Sequence, residues 1–255
     1  MRRHLRYERD MQEPVLRWMQ AQGLLVRTEC ATPWGICDLI GVSFAKRPIA
    51  RRLALRQRAP IGSQLSVAVL STLPDVNEGK TTSLRNIQAT FGGLVARGDI
   101  LRELDRLTER RFVQWASGGY QKLNGWMPMH RRIVSVELKL DRIEEAFRQA
   151  SSHTGFSTES YVCLPLDTAR RVQRSERSRR FLGAGVGLIG LGDSRVEILV
   201  RSRVPVAATI PWLQIHTVER FWRMGQKQLS ISGSAIDSGR RVAPSSFRSP
   251  KICLP

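Results

Sequence analysis

The segment Val136-Glu137-Leu138-Lys139 sets a carboxylate and an ammonium two positions apart. In a strand, residues two apart point to the same face, so Glu137 and Lys139 project together. Asp38, in the apolar run CDLIGVSF (37–44), supplies a second carboxylate from another strand. Two carboxylates offer the hard oxygen ligands that hold Mg2+ or Mn2+. A cation held this way polarises a phosphate ester and acidifies water. Lys139 would orient that water or neutralise charge building on the phosphorane. The chemistry these residue types suit is metal-dependent phosphodiester hydrolysis.

The elements that must position them follow from periodicity. Residues 8–22 read as a helix, with Val15, Leu16 and Met19 on its apolar face and Gly23 placed to stop it. LLVRTEC (24–30) and CDLIGVSF (37–44) read as strands joined through a Pro33-Trp34-Gly35 turn, and RIVSVELKL (132–140) alternates as a strand. A helix should follow at once, capped by Asp141 with Glu144 three residues later, its stripe formed by Ile143, Ala146, Phe147 and Ala150. ESYVCLPL (159–166), GVGLIGLG (185–192) and RVEILVRS (195–202) read as further strands, with an arginine-rich helix over 168–181. This order is α/β.

Residues 46–130 interrupt it. Helices are expected over 64–73, 82–92 and 97–111, then a hairpin over 112–123 turning at Ser117-Gly118-Gly119. Three helices and a two-stranded wing make a winged helix-turn-helix. In its third helix Ile100, Leu101, Leu104 and Leu107 form the buried face, and Arg97, Arg102, Arg106 and Arg110 stay outside. The chain thus divides into a first core part (1–45), an insert (46–130), a second core part (131–210), and a C-terminal segment ending in a basic, poorly ordered tail (211–255).

Lys and Arg total 41 against 22 acids, a net charge of +19, which favours a polyanionic partner. Basic residues concentrate in 45–58, which has no acid, and in 168–180, where Arg170, Arg171 and Arg174 lead. DNA is the expected partner, RNA the alternative; a homodimer or a partner protein stays open. No apolar run approaches the roughly 20 residues of a membrane span, and MRRHLRYERD lacks a signal-peptide core, so the cytoplasm is the expected compartment. Cys30, Cys37, Cys163 and Cys253 form no CxxC pair, and His4, His130, His153 and His216 are scattered, so neither a zinc site nor a disulfide framework is expected. NEGKTT (77–82) has Pro74 where a phosphate-binding loop needs its first glycine. The glycines Gly185, Gly187 and Gly190 fall inside a strand, which suits close packing rather than dinucleotide binding.

The set Gly35-Ile36-Cys37-Asp38-Leu39-Ile40, Glu137-Leu138-Lys139, with Glu13 in the first helix and Gln149 ten residues after Lys139, resembles the PD-(D/E)xK nuclease superfamily. The resemblance covers roughly 8–44 and 132–202, and Cys37 stands where the family name has proline. It implies a restriction-endonuclease-like mixed sheet flanked by helices, with Asp38, Glu137 and Glu13 as metal ligands and Lys139 and Gln149 completing the site. Glu8 and Glu29 are the other carboxylates that could take the place of Glu13. The expected activity is DNA endonuclease; a DNA-binding regulator keeping a nuclease-like fold, or an RNA-processing nuclease, is the alternative.

Overall fold

The computed structural model describes residues 5–123, 128–193 and 195–227; the expected tail lies outside them. The chain opens with α1 (Arg9–Ala21), β1 (Leu25–Thr32) and β2 (Gly35–Phe44). It continues with α2 (Lys46–Ala54), α3 (Gln64–Ser71), α4 (Leu84–Thr90), α5 (Arg97–Glu109) and the short strands β3 (Val113–Ala116) and β4 (Gly119–Lys122). The remainder is β5 (His130–Leu138), α6 (Ile143–His153), β6 (Glu159–Pro165), α7 (Leu166–Arg174), α8 (Arg177–Gly183), β7 (Val186–Gly192), β8 (Arg195–Val200) and α9 (Pro211–Glu219). The fold is mixed α/β. Among the described residues no helix is long and apolar enough to cross a membrane.

One six-stranded sheet runs in the order β1-β2-β5-β6-β7-β8. β1, β2 and β5 are mutually antiparallel, β6 and β7 continue parallel to β5, and β8 turns back antiparallel. Helices cover both faces. Met11, Val15 and Met19 of α1 pack on Leu39, Val134, Val136 and Leu138. On the other face Ala146 and Ala150 of α6, Ala169 and Val172 of α7 and Phe181 of α8 pack on Val162, Leu164 and Leu188. Because both faces are covered, every residue of β5 from Ile133 to Leu138 is buried. Gly187 serves this packing: an added Cβ would stand 2.3 Å from the Tyr161 ring and 2.7 Å from the Ser202 nitrogen.

Two local expectations fail. Asp141 does not cap α6; Arg142 holds the N-cap position without a side-chain bond, and the Asp141 carbonyl accepts from the Ile143 N–H at 2.7 Å. The arginine-rich helix is two helices, because Ser175 is extended (φ −93°, ψ 167°) and ends α7.

The segment between β2 and β5 has its own apolar cluster, with Ile61, Val67, Leu70, Ile87, Ile100, Leu104, Leu107 and Phe112 at its centre. Its ends meet: the Ala45 N–H donates to the Met129 carbonyl at 2.7 Å. Ser63 and Ser66 form a reciprocal cap on α3, and Ser66 Oγ donates to Glu103 of α5 at 2.6 Å. The hairpin closes through Ser117 (φ +45°) and Gly118 (φ +78°), the left-handed pair that a two-residue turn needs. Segment 64–71 being a helix, NEGKTT has no strand ahead of it and is not a phosphate-binding loop.

The boundaries of this segment are less clean than its pattern suggests. Ile49 of α2 belongs to the cluster beneath β1, β2 and β5, together with Leu213, Val218, Phe221 and Trp222. Trp212 of α9 packs against that cluster and against the cluster of the intervening segment. Arg52, within the basic run expected at a phosphate surface, is buried instead. Its guanidinium pairs with Glu219, donates to the carbonyls of Gln57 (3.1 Å) and Ala59 (2.8 Å), and lies over the Trp222 ring at 4.0 Å.

Candidate metal centre

Asp38 lies one step beyond the Leu39–Val136 pair, where the β2–β5 pairing ends and β2 continues against β1 alone. Its Oδ2 accepts the Leu138 N–H at 2.7 Å, which draws two segments a hundred positions apart into one edge. Burial raises the Asp38 carboxyl above its ordinary value; the Leu138 N–H and the Lys139 charge work against that.

Glu137 is only 1 % exposed and points to the face that α6 covers, where His153 is 2 % exposed. Burial first, and the neighbouring Asp38 second, push Glu137 up to about 8; Lys139 opposes them. Burial pushes His153 down to about 4. Glu137 Oε1 and His153 Nδ1 stand 3.3 Å apart, yet neither makes a hydrogen bond. Lys139, the first residue past β5, is buried and carries its Nζ to 3.4 Å from Glu8, which also meets Arg142.

Asp38, Glu137 and Lys139 therefore lie close enough together to act on one another's charge. Glu13 does not join them: it is exposed and pairs with Arg17 at 2.7 Å. Positions 8 and 13 are about 140° apart around a helix, so Glu8 faces Lys139 and Glu13 faces away. Glu29, in a left-handed conformation on β1 (φ +49°), is exposed. Gln149 lies one turn before His153 on α6 and thus on its face; its Oε1 is buried without a partner.

The sequence reading gave His153 and Cys37 no part in a metal site, since their spacing matches no ligand motif. The stripe Ala146-Ala150-His153 carries the imidazole to Glu137, and only the abutment of α6 on β5 makes that pairing. Cys37 is fully buried, its thiol raised well above the usual range by burial and by Glu137. Cys37, Glu137 and His153 have donor atoms all within 4.8 Å of one another.

The arginines divide as well. Arg97 is exposed, and so is Arg102, which pairs with Asp99. Arg106 and Arg110 do not stay outside: Arg106 buries its Nε beside Gly62, and Arg110 donates to the carbonyls of Pro60 (2.8 Å) and Ile61 (3.2 Å). Arg170, Arg171 and Arg174 are exposed on α7, Arg170 pairing with Glu197 at 3.0 Å.

The two buried titrating groups shape stability. Glu137, raised from 4.5 to about 8, stabilises fully below its ordinary value and loses that contribution as pH rises through about 8. His153, lowered from 6.5 to about 4, stabilises above 6.5 and loses its contribution as pH falls through about 4. The slopes oppose each other between 4.5 and 6.5, and only the Glu137 loss remains from 6.5 to about 8. Chelator-treated protein should melt at a lower temperature at pH 8 than at pH 6.5, and Glu137→Gln should flatten that fall. An equally steep fall in the variant would contradict the assignment.

No family model matches this chain, and no curated protein or solved structure matches it either.

Proposed function

We propose that the chain is a divalent-metal-dependent DNA endonuclease of the PD-(D/E)xK type. The observation that carries the reading is the meeting of Asp38, Glu137 and Lys139 where the β2–β5 pairing ends. The order helix, three strands, helix, strand formed by α1, β1, β2, β5, α6 and β6 supports it, being the order the resemblance implies.

A cation suits this edge on physical grounds. Asp38 keeps one oxygen outside the bond to Leu138, and the Glu137 carboxyl group is buried beside it. Asp38 and Glu137 would hold Mg2+ or Mn2+, with Glu8 rather than Glu13 as the nearby carboxylate of α1. Bound there, the cation would supply Lewis-acid charge at the scissile phosphate. Lys139 leaves Glu8 for the phosphate and offsets negative charge as the bond to oxygen breaks. The Leu138 N–H fixes the Asp38 carboxylate, so the ligand pair is oriented before substrate arrives.

The segment between β2 and β5 acts as a winged helix that grips duplex DNA. Its exposed arginines, Arg97 and Arg102, join Arg170, Arg171 and Arg174 in phosphate contact. Each phosphate contact contributes about 0.9 to the slope of log affinity against log salt. The double substitution Arg97→Ala, Arg102→Ala should therefore shallow that slope by about 2. An unchanged slope would remove the segment from the DNA backbone and point it towards a protein partner.

Incubation with supercoiled, linear and branched DNA, with and without Mg2+ or Mn2+, tests the activity. Cleavage confined to the reactions holding a cation is expected. Tight binding with no cleavage under any cation would favour a non-catalytic DNA-binding protein, and preferential cutting of RNA would move the substrate class.

A further inference from the structure

Beneath the β2–β5 edge, three donors of different chemistry face one point: the Cys37 thiol, the Glu137 carboxylate and the His153 imidazole. They come from β2, β5 and the last turn of α6, and the pairing of β2 with β5 and the packing of α6 on β5 place them. Glu137 Oε1 and His153 Nδ1 are buried and both lack a hydrogen-bond partner. Leaving a polar group buried and unpaired is unfavourable, so two such atoms side by side call for a shared occupant.

Their spacing says which occupant. A tetrahedral ion with ligand bonds of about 2.0–2.3 Å holds its donors about 3.3–3.8 Å apart. Oε1 and Nδ1 are 3.3 Å apart, and the whole set falls within 4.8 Å. Mg2+ requires octahedral oxygen ligands, which a thiolate and an imidazole do not provide. Sulfur, nitrogen and oxygen together select a borderline-soft ion.

We propose that Cys37, Glu137 and His153 form a buried three-ligand site for a transition-metal dication of the zinc class, set behind the hard oxygen edge of Asp38. On binding, the ion takes the place of the Cys37 thiol proton, which passes to solvent. Three protein ligands leave a fourth position open. The site does not depend on the nuclease reading, although Glu137 lies between the two. Its rival is a direct bond from a neutral Glu137 to His153 with no ion present.

Full-length protein, stripped with chelator, is titrated with Co2+ and then with Zn2+. A thiolate-to-cobalt charge-transfer band and tetrahedral d–d bands should grow to a single equivalent and vanish as Zn2+ replaces the cobalt. Cys37→Ser should lose the charge-transfer band, whereas Cys163→Ser and Asp38→Asn should keep it. His153→Ala should weaken Zn2+ binding by more than the roughly 10- to 100-fold that loss of an outer-shell partner causes. Zn2+ should also raise the melting temperature of the parent and not of Cys37→Ser. Parent protein that develops no charge-transfer band at stoichiometric Co2+ overturns the proposal whatever the variants do. So does a band that survives Cys37→Ser, or one lost in Cys163→Ser. Cleavage with magnesium is read separately, so an empty zinc-class site and an inactive nuclease site give different results.

Discussion

Glu137→Gln and Asp38→Asn should each lower single-turnover cleavage of supercoiled DNA at saturating Mg2+ on the order of 1,000-fold or more. Each substitution keeps side-chain volume and removes an acid that can give up its proton to bind a cation. Gln at position 137 also suits its surroundings, since Glu137 is 1 % exposed and raised to about 8 and so already sits as the neutral acid near pH 7 without a cation. The fold should survive while the cation is lost. Lys139→Met should reduce cleavage comparably while leaving Mg2+ binding in place, because its ammonium pairs with Glu8 and offers no ligand to a cation. Glu13→Gln should cut like the parent, since Glu13 is exposed and engaged with Arg17. DNA affinity in chelator should be the same in the position 13, 38 and 137 variants, as the basic groups are untouched. If the position 38, 137 and 139 variants all cut at the parental rate, the proposed site is wrong.

Arg52→Ala should destabilise the protein by about 3–5 kcal/mol, the cost of stranding a buried partner charge. Arg52 and Glu219 are each 2 % exposed in their side chains. Glu219 Oε2 also accepts the Ile61 N–H at 2.7 Å, and Arg52 lies over Phe112 at 5.0 Å. The pair thus fastens α2, α9 and the start of the intervening segment to one another. Arg52→Met with Glu219→Leu should recover much of the loss, because replacing both charges removes the desolvation cost along with the attraction. Urea unfolding of the single and double variants measures it. A single variant within about 0.5 kcal/mol of the parent would make Arg52 an ordinary surface arginine.

How far the sequence reached is plain at particular residues. Alternation in 132–140 and the 3.6-residue stripe of 143–150 marked β5 and α6, because backbone geometry fixes the spacing at which side chains share a face. Glu137 and Lys139 were legible as a pair for the same reason, and Ser117-Gly118 as a turn from its conformational demand. The two-helix break at Ser175 was not legible, since arginine-rich segments on either side have the same propensity and only packing against the sheet chooses the bend.

Charge by itself did not separate the arginines. Arg52 and Arg51 are neighbours in one basic run, yet Arg52 meets a carboxylate from a helix 167 positions away and leaves the surface. Nor did residue type separate Glu8 from Glu13, because the choice depends on which side of α1 meets the end of β5. The same holds for His153 and Cys37: nothing in their spacing links them to Glu137, and they meet it through the packing of α6 on β5 and the pairing of β5 with β2. The amino-acid sequence alone marked most of the core elements and the shared spacing of Glu137 and Lys139, since those depend on interactions a few residues long. Which side chains share a point in space was decided by the tertiary structure, because burial and long-range pairing set distance without regard to position in the chain.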